Sequence, residues 1–173
     1  MYKAIVSVLL VIMLMCSCSG ESETSLDWFK KAEALNYSDP SKAIEYLNHA
    51  IKLQPDYADA YNMRGISYVK LGQYQRGIED FNEAIRLRPD DTRTYINRGI
   101  SYTFLSQYPP AIADYSKAIS LKPDNVDAYL SRCYVYFEQG DKNLGCRDAK
   151  NACDLGNCSL LKSAQSKGLC RKT

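Results

Sequence analysis

Apolar and small residues recur along this chain at helical spacing. Tyr61, Gly65, Tyr68 and Leu71 fall at i, i+4, i+7 and i+10, one stripe of a helix. Ile78, Phe81, Ala84, Ile85 and Leu87 form the facing stripe of a second helix. The pair of stripes returns after 34 residues, and again after 34 more. Tyr61, Tyr95 and Tyr129 share one slot, Tyr68, Tyr102 and Tyr136 another, and Ala84, Ala118 and Ala152 a third; Pro55, Pro89 and Pro123 punctuate the units. Trp28, Ala32, Leu35, Ala43, Ile44, Leu47, Ala50 and Leu53 keep the pattern in an earlier, degenerate unit, one residue short near Asn36 to Asp39. Leu160 to Lys167 reads as a ninth helix. One hairpin cannot bury both of its stripes, so neighbours must stack, and the last apolar face needs a cap. Small Gly65 and Ala84 let two helix axes approach, and a large residue at Gly99 would overpack that contact.

Period, proline and small-residue slots together resemble the tetratricopeptide repeat family over about residues 25–157. The resemblance implies an all-α, right-handed superhelical solenoid of helix-turn-helix repeats with a C-terminal capping helix. The expected units are a degenerate first repeat at 26–57, repeats at 58–91, 92–125 and 126–157, and a Cys-containing cap and tail at 158–173.

Charge repeats as well. Arg64, Arg98 and Arg132 are each followed sixteen residues later by Asp80, Asp114 and Asp148. The expectation is a set of partly buried pairs fixing helix register, within a unit or across neighbours; the alternative is two solvated faces sharing the period by duplication.

The resemblance also implies a concave groove, lined by the leading helices, that holds a protein or peptide segment. Its slots map to Asn62, Met63, Ile66, Val69 and Lys70, to Arg93, Ile96, Asn97, Ile100 and Thr103, and to Asp127, Leu130, Ser131, Tyr134 and Phe137. Family members that clamp an acidic chaperone tail use Lys, Asn and Arg at such slots. Met63, Asp127 and Ser131 stand where that charge is wanted, so this clamp is not expected. What remains is an apolar, aromatic groove in which Asn62 and Asn97 can hold a peptide backbone. Neighbouring helices are expected to cover some of these apolar side chains.

The first residues read as an address. Lys3 precedes twelve uncharged residues, Ala4 to Met15, and then Cys16-Ser17-Cys18-Ser19-Gly20. As a helix the apolar run spans about 18 Å, too short for a bilayer core of about 30 Å. This is the form of a secretory signal peptide, residues 1–17. It resembles a bacterial lipoprotein signal, which implies lipidation of Cys18, a polar tether over 18–25 and attachment to the outer membrane, facing periplasm or cell surface. Cleavage near Ser19 or an uncleaved anchor is the alternative.

Composition narrows the chemistry. The formal charge of +2 offers no overall electrostatic footprint for nucleic acid, and one His excludes a His-rich metal site. No Walker A, H-E-x-x-H or G-x-G-x-x-G string occurs, so no cofactor is expected. Cys146 and Cys153 replace the Ile residues of earlier repeats and are core-facing. A hairpin centred near Asn157 sets Cys146 opposite Cys170 and puts Cys153 and Cys158 at the turn. An exported chain permits both bridges, with Cys133 a free packing thiol; free buried thiols are the alternative. Intervals of 7, 5 and 12 between these cysteines lack the close pairs of structural zinc. His49 lies far from the thiols and reads as a solvated helix residue. The reading is a non-enzymatic interaction module of the bacterial cell envelope. Its rivals are an accessory lipoprotein of an outer-membrane assembly or secretion complex, a thiol-dependent redox protein using the C-terminal cysteines, and a structural spacer.

Overall fold

The computed structural model describes residues 23–35 and 38–171. Within them the chain forms α1 (Ser25–Leu35), α2 (Pro40–Leu53), α3 (Ala58–Lys70), α4 (Tyr74–Leu87), α5 (Thr92–Phe104), α6 (Tyr108–Leu121), α7 (Val126–Glu138), α8 (Lys142–Asp154) and α9 (Ser159–Ser166). Each odd-numbered helix up to α7 packs most closely on the helix that follows it, and each hairpin packs on the next. The result is an all-α, right-handed solenoid of four helical hairpins, closed by α9 on α8. The signal peptide expected at residues 1–17 and the expected lipidation site Cys18 lie outside the described residues.

The turns explain why the period holds. After α3, α5 and α7 the chain enters the left-handed region at Gly72, Ser106 and Gly140, with φ of 73°, 57° and 79°. The amides of Gln73, Gln107 and Asp141 then reach back to the carbonyls of Tyr68, Tyr102 and Tyr136, satisfying the exposed helix ends. Ser106 is the non-glycine member of this set, and its Cβ makes the conformation costly. Side-chain caps start helices both between hairpins and within them. Asn125 accepts from the Ala128 amide at 3.0 Å, and Asp141 accepts from the Leu144 amide at 3.0 Å.

Small residues set the closeness of each hairpin. A Cβ built on Gly65 would lie 2.6 Å from Phe81 Cε1, and one on Gly99 would lie 2.7 Å from Tyr115 Cε1. The glycines are therefore seats for the rings of the partner helix. In the fourth repeat the roles are exchanged. Ala149 occupies the aromatic slot, Cys133 replaces the glycine, and Phe137 swings from α7 over Gly145, whose added Cβ would meet the ring at 2.6 Å. The Cys133 thiol donates to the Gly145 carbonyl at 3.0 Å. In the second, third and fourth hairpins one ring fills the gap, whichever helix supplies it, and in the first the two slots hold Ala32 and Leu47.

The three Arg–Asp pairs form and reach further than one hairpin. Arg98 grips Asp114 through Nε and Nη2 at 2.8 and 2.6 Å, while its Nη1 donates to Asn82 on the preceding hairpin at 2.7 Å. Arg64 does the same with Asp80 and Asn48, and Arg132 with Asp148 and Ser116. Each guanidinium thus ties three helices, within a unit and across neighbours. Burial pushes the Arg98 guanidinium down, but the paired Asp114 carboxylate outweighs it and the net shift is upward. At Asp80 burial dominates over Arg64 and raises the carboxyl. The first repeat has Lys31 and Tyr46 in these slots and uses rings instead. Trp28 packs on Tyr46 at 5.4 Å and stacks on His49 at 4.4 Å, with the Lys31 ammonium 4.5 Å from the indole. His49 is exposed, but it is a stacking partner rather than a free surface residue.

Two outcomes follow from this packing. Asp114→Asn leaves a buried guanidinium without its counter-charge and lowers unfolding free energy by about 3–5 kcal/mol in urea titration. A change within about 0.5 kcal/mol would make the pair a surface contact. Ser106→Gly relieves the left-handed turn and raises stability by up to about 1 kcal/mol, read as a higher denaturation midpoint at unchanged slope.

Candidate functional site

The inner wall of the solenoid carries a cleft of about 450 Å³ between the third and fourth hairpins. Ile100, Thr103 and Phe104 come from α5, Leu130, Ser131 and Tyr134 from α7, and Tyr115 from α6 forms the floor. The walls are mainly apolar. Phe104 is 60% exposed and Tyr134 52%, so two rings stand at the lip without a protein cover. Phe104 is held in place by stacking on Tyr74, centroids 4.8 Å apart and rings 9° from parallel. The Glu138 carboxylate beside Tyr134 raises its phenol.

The floor is polar but closed. Thr103 Oγ1 donates to the Gly99 carbonyl at 2.8 Å and lies 3.1 Å from the Tyr115 hydroxyl, which also bonds Ser131. Burial pushes the Tyr115 phenol up to about 12, against the lowering effect of Thr103. It is therefore a neutral hydroxyl at any physiological pH. An occupant meets apolar walls above a satisfied hydroxyl cluster, which suits a side chain of a folded or extended polypeptide.

Of the fifteen groove slots expected from the sequence, the cleft gathers Ile100, Thr103, Leu130, Ser131 and Tyr134. Ile96 is 9% exposed and belongs to the core with Tyr95, Tyr115 and Val135. Val69 turns onto Gly77 and Phe137 onto Gly145, inside their own hairpins. Asn97 donates to Asn62 at 3.1 Å, so the two amides join neighbouring repeats and are not poised as a pair for a peptide backbone. Arg93 is exposed and pairs with Asp91, the cap of its own helix, at 3.3 Å. Ile66 remains half-buried on α3, outside the cleft. Phe104 and Tyr115 were not anticipated. The signal for Phe104 is its slot, filled by Lys70 and Glu138 in the flanking repeats: an aromatic where the period otherwise places a charge.

A second built feature is the C-terminal cap. Cys146 is bridged to Cys170, with Cα atoms 5.6 Å apart, and Cys153 to Cys158, with Cα atoms 4.0 Å apart. α9 is eight residues long and Ala164 is its buried residue, so the bridges hold what its small core does not. Cys133 is buried and free, and burial pushes its thiol up to about 12, far from the depressed pKa of a reactive thiolate. Among the described residues no group of three or more His, Cys, Asp or Glu is placed to hold a metal ion. No described helix is long and apolar enough to cross a membrane.

The cap yields a measurable outcome. Under denaturing, non-reducing conditions, alkylation labels Cys133 alone among residues 23–171; after reduction it labels five cysteines. Cys146→Ser with Cys170→Ser lowers stability by about 3 kcal/mol, the order expected for opening a loop of this size. Full labelling before reduction would show that the thiols are free.

Comparison with known proteins agrees with this geometry. A tetratricopeptide repeat model matches residues 31–93 and a TPR repeat model residues 101–140, together more than half of the chain. The fold is similar to the crystal structure of MamA, at 23% identity and a TM-score of 0.73, covering 90% of this chain and 85% of that one. It is also similar to the first TPR domain of Spaghetti (RPAP3) bound to the HSP90 peptide SRMEEVD, at 21% identity and 0.66, covering 69% of this chain and 96% of that one. The Arabidopsis OM64 TPR domain gives 25% identity and 0.65, covering 66% and 96%. No curated protein matches the sequence. Repeat by repeat, then, in its helical hairpins, its glycine seats and its matched segments, the chain is a tetratricopeptide-repeat solenoid.

Proposed function

We propose that this protein is a non-enzymatic interaction module of the bacterial cell envelope, lipid-anchored through Cys18, that holds a segment of a partner protein in the cleft between α5 and α7. The observation that carries the reading is the pair of exposed rings, Phe104 and Tyr134, over an apolar cleft with a satisfied floor. Large exposed aromatics bordering a concave apolar surface are the usual make-up of an interface core. Export is supported by the cysteines: two bridges in a small chain need an oxidising compartment. The lipoprotein-like signal ending at Cys18 supports anchoring. Among the described residues the one free thiol, Cys133, is buried and protonated, which favours a binding role over thiol chemistry.

Crosslinking and pull-down from envelope fractions tests the cleft. Ile100→Glu combined with Tyr134→Glu puts two charges into it and reduces partner recovery at least tenfold, with the helical circular dichroism retained. Undiminished recovery would assign the binding elsewhere and favour a spacer. Mass spectrometry of the mature N-terminus tests the anchor: the expected product begins at an acylated Cys18, and an unmodified start downstream of it removes the lipoprotein reading.

A further inference from the structure

Charge is divided sharply along the chain. Residues 1–141 carry 15 Lys and Arg against 18 Asp and Glu, whereas 142–171 carry six against two. The modest net charge of +2 hides this division. Of the two acids, Asp148 is already neutralised by Arg132. Lys142, Arg147, Lys150, Lys162, Lys167 and Arg171 are all exposed, and none is in an ion pair among the described residues. Three of the exposed arginines of the second and third repeats, Arg86, Arg88 and Arg93, have a carboxylate partner, and Arg76 bonds Gln73 and Tyr68 instead.

The Arg ladder supplies an independent sign. Asn48, Asn82 and Ser116 accept from Arg64, Arg98 and Arg132, each sixteen residues ahead. The next pair in the series is Lys150 and Ser166. The acceptor has become a cation and the guanidinium a hydroxyl, and Ser166 Oγ turns to the Ser163 carbonyl. A ladder that ends in a donor repels a further Arg-bearing repeat and calls for an anion. Arg147 and Lys150 lie one turn apart on α8, about 5 Å along its axis and within one Debye length of each other, so their fields add. The two disulfides fix α9 against α8, which holds the array in place before any partner arrives.

We propose that this terminal layer, α8 with α9, docks on an anionic phospholipid surface through its phosphate headgroups. Residues 139–171 contain no aromatic side chain, so the layer has no platform for stacking bases. It does carry Leu155, exposed among the cations, and half-buried Leu160, Leu161 and Leu169, the pairing of basic and shallow apolar groups that suits a lipid interface. The choice of lipid over duplex nucleic acid rests on the envelope location proposed above. The surface is distinct from the cleft and lies at the opposite end of the helix order from α1.

Vesicle partitioning of the oxidised mature chain carrying Cys18→Ser, which has no acyl anchor to partition by itself, tests this. Phosphatidylcholine vesicles with about 30 mol% phosphatidylglycerol are compared with phosphatidylcholine alone, at about 50 mM and about 500 mM salt. The expected partition ratio is at least tenfold in favour of anionic vesicles at low salt and falls towards one at high salt. R147Q/K150Q/K162Q/K167Q brings the low-salt ratio towards one without changing the melting temperature, whereas K117Q/K122Q, on and beyond α6, keeps it. If the fourfold variant does not fold, the salt dependence and the K117Q/K122Q control decide. A wild-type ratio near one, or one insensitive to the fourfold change, overturns the proposal. So does tighter binding of a duplex DNA of about 20 base pairs than of the vesicles at equal salt. None of these readouts depends on Cys18 or on the cleft, so failure here leaves the proposed function standing.

Discussion

The second, third and fourth hairpins of this solenoid are each tied to the one before by a part-buried guanidinium. Five N–H donors in a rigid plane let Arg64, Arg98 and Arg132 satisfy a carboxylate bidentately and still offer an edge to the previous layer. A lysine in that slot would have no second planar edge to offer. Because the pair is largely buried, its net contribution to stability is modest compared with the cost of breaking it. Its physical role is registration: the repeat can stack only where donor and acceptor planes meet.

Registration is also what makes the cleft. Leading helices from successive repeats must be held at a fixed offset for Ile100 and Tyr134, one repeat apart in slot, to border the same space. The hairpin packing beneath them does the rest. Tyr115 seated on Gly99 raises the floor, and the Thr103 and Ser131 hydroxyls close it off. Phe104 stays exposed because its stacking partner, Tyr74, belongs to the previous hairpin and fixes the ring at the lip rather than drawing it inward.

The ends of the array differ from its middle for physical reasons. At the N-terminal end of the described residues the ion pair gives way to an aromatic cluster around Trp28, and no described layer precedes it to receive a guanidinium edge. At the C-terminal end α9 is too short to be held by burial and is held covalently. Lys150 then turns the ladder's final acceptor position into a cation.

The sequence by itself determined the repeat. The 34-residue period, the proline punctuation and the recurring glycine and alanine slots fix helix lengths and turns locally, and local geometry repeats wherever the local sequence does. The Arg and Asp period and the two cysteine pairings were legible for the same reason. Tertiary structure decided which side chains face inward. Ile96, Val69 and Phe137 sit on leading helices like Ile100 and Tyr134, yet Ile96 is buried in the core, and half-buried Val69 and Phe137 turn onto glycines inside their own hairpins. That depends on the volume left by residues tens of positions away, such as Ala149 opposite Phe137, and no helical period encodes it. The bond between Asn62 and Asn97 is of the same kind: two amides that look free in sequence meet because stacking brings adjacent leading helices side by side.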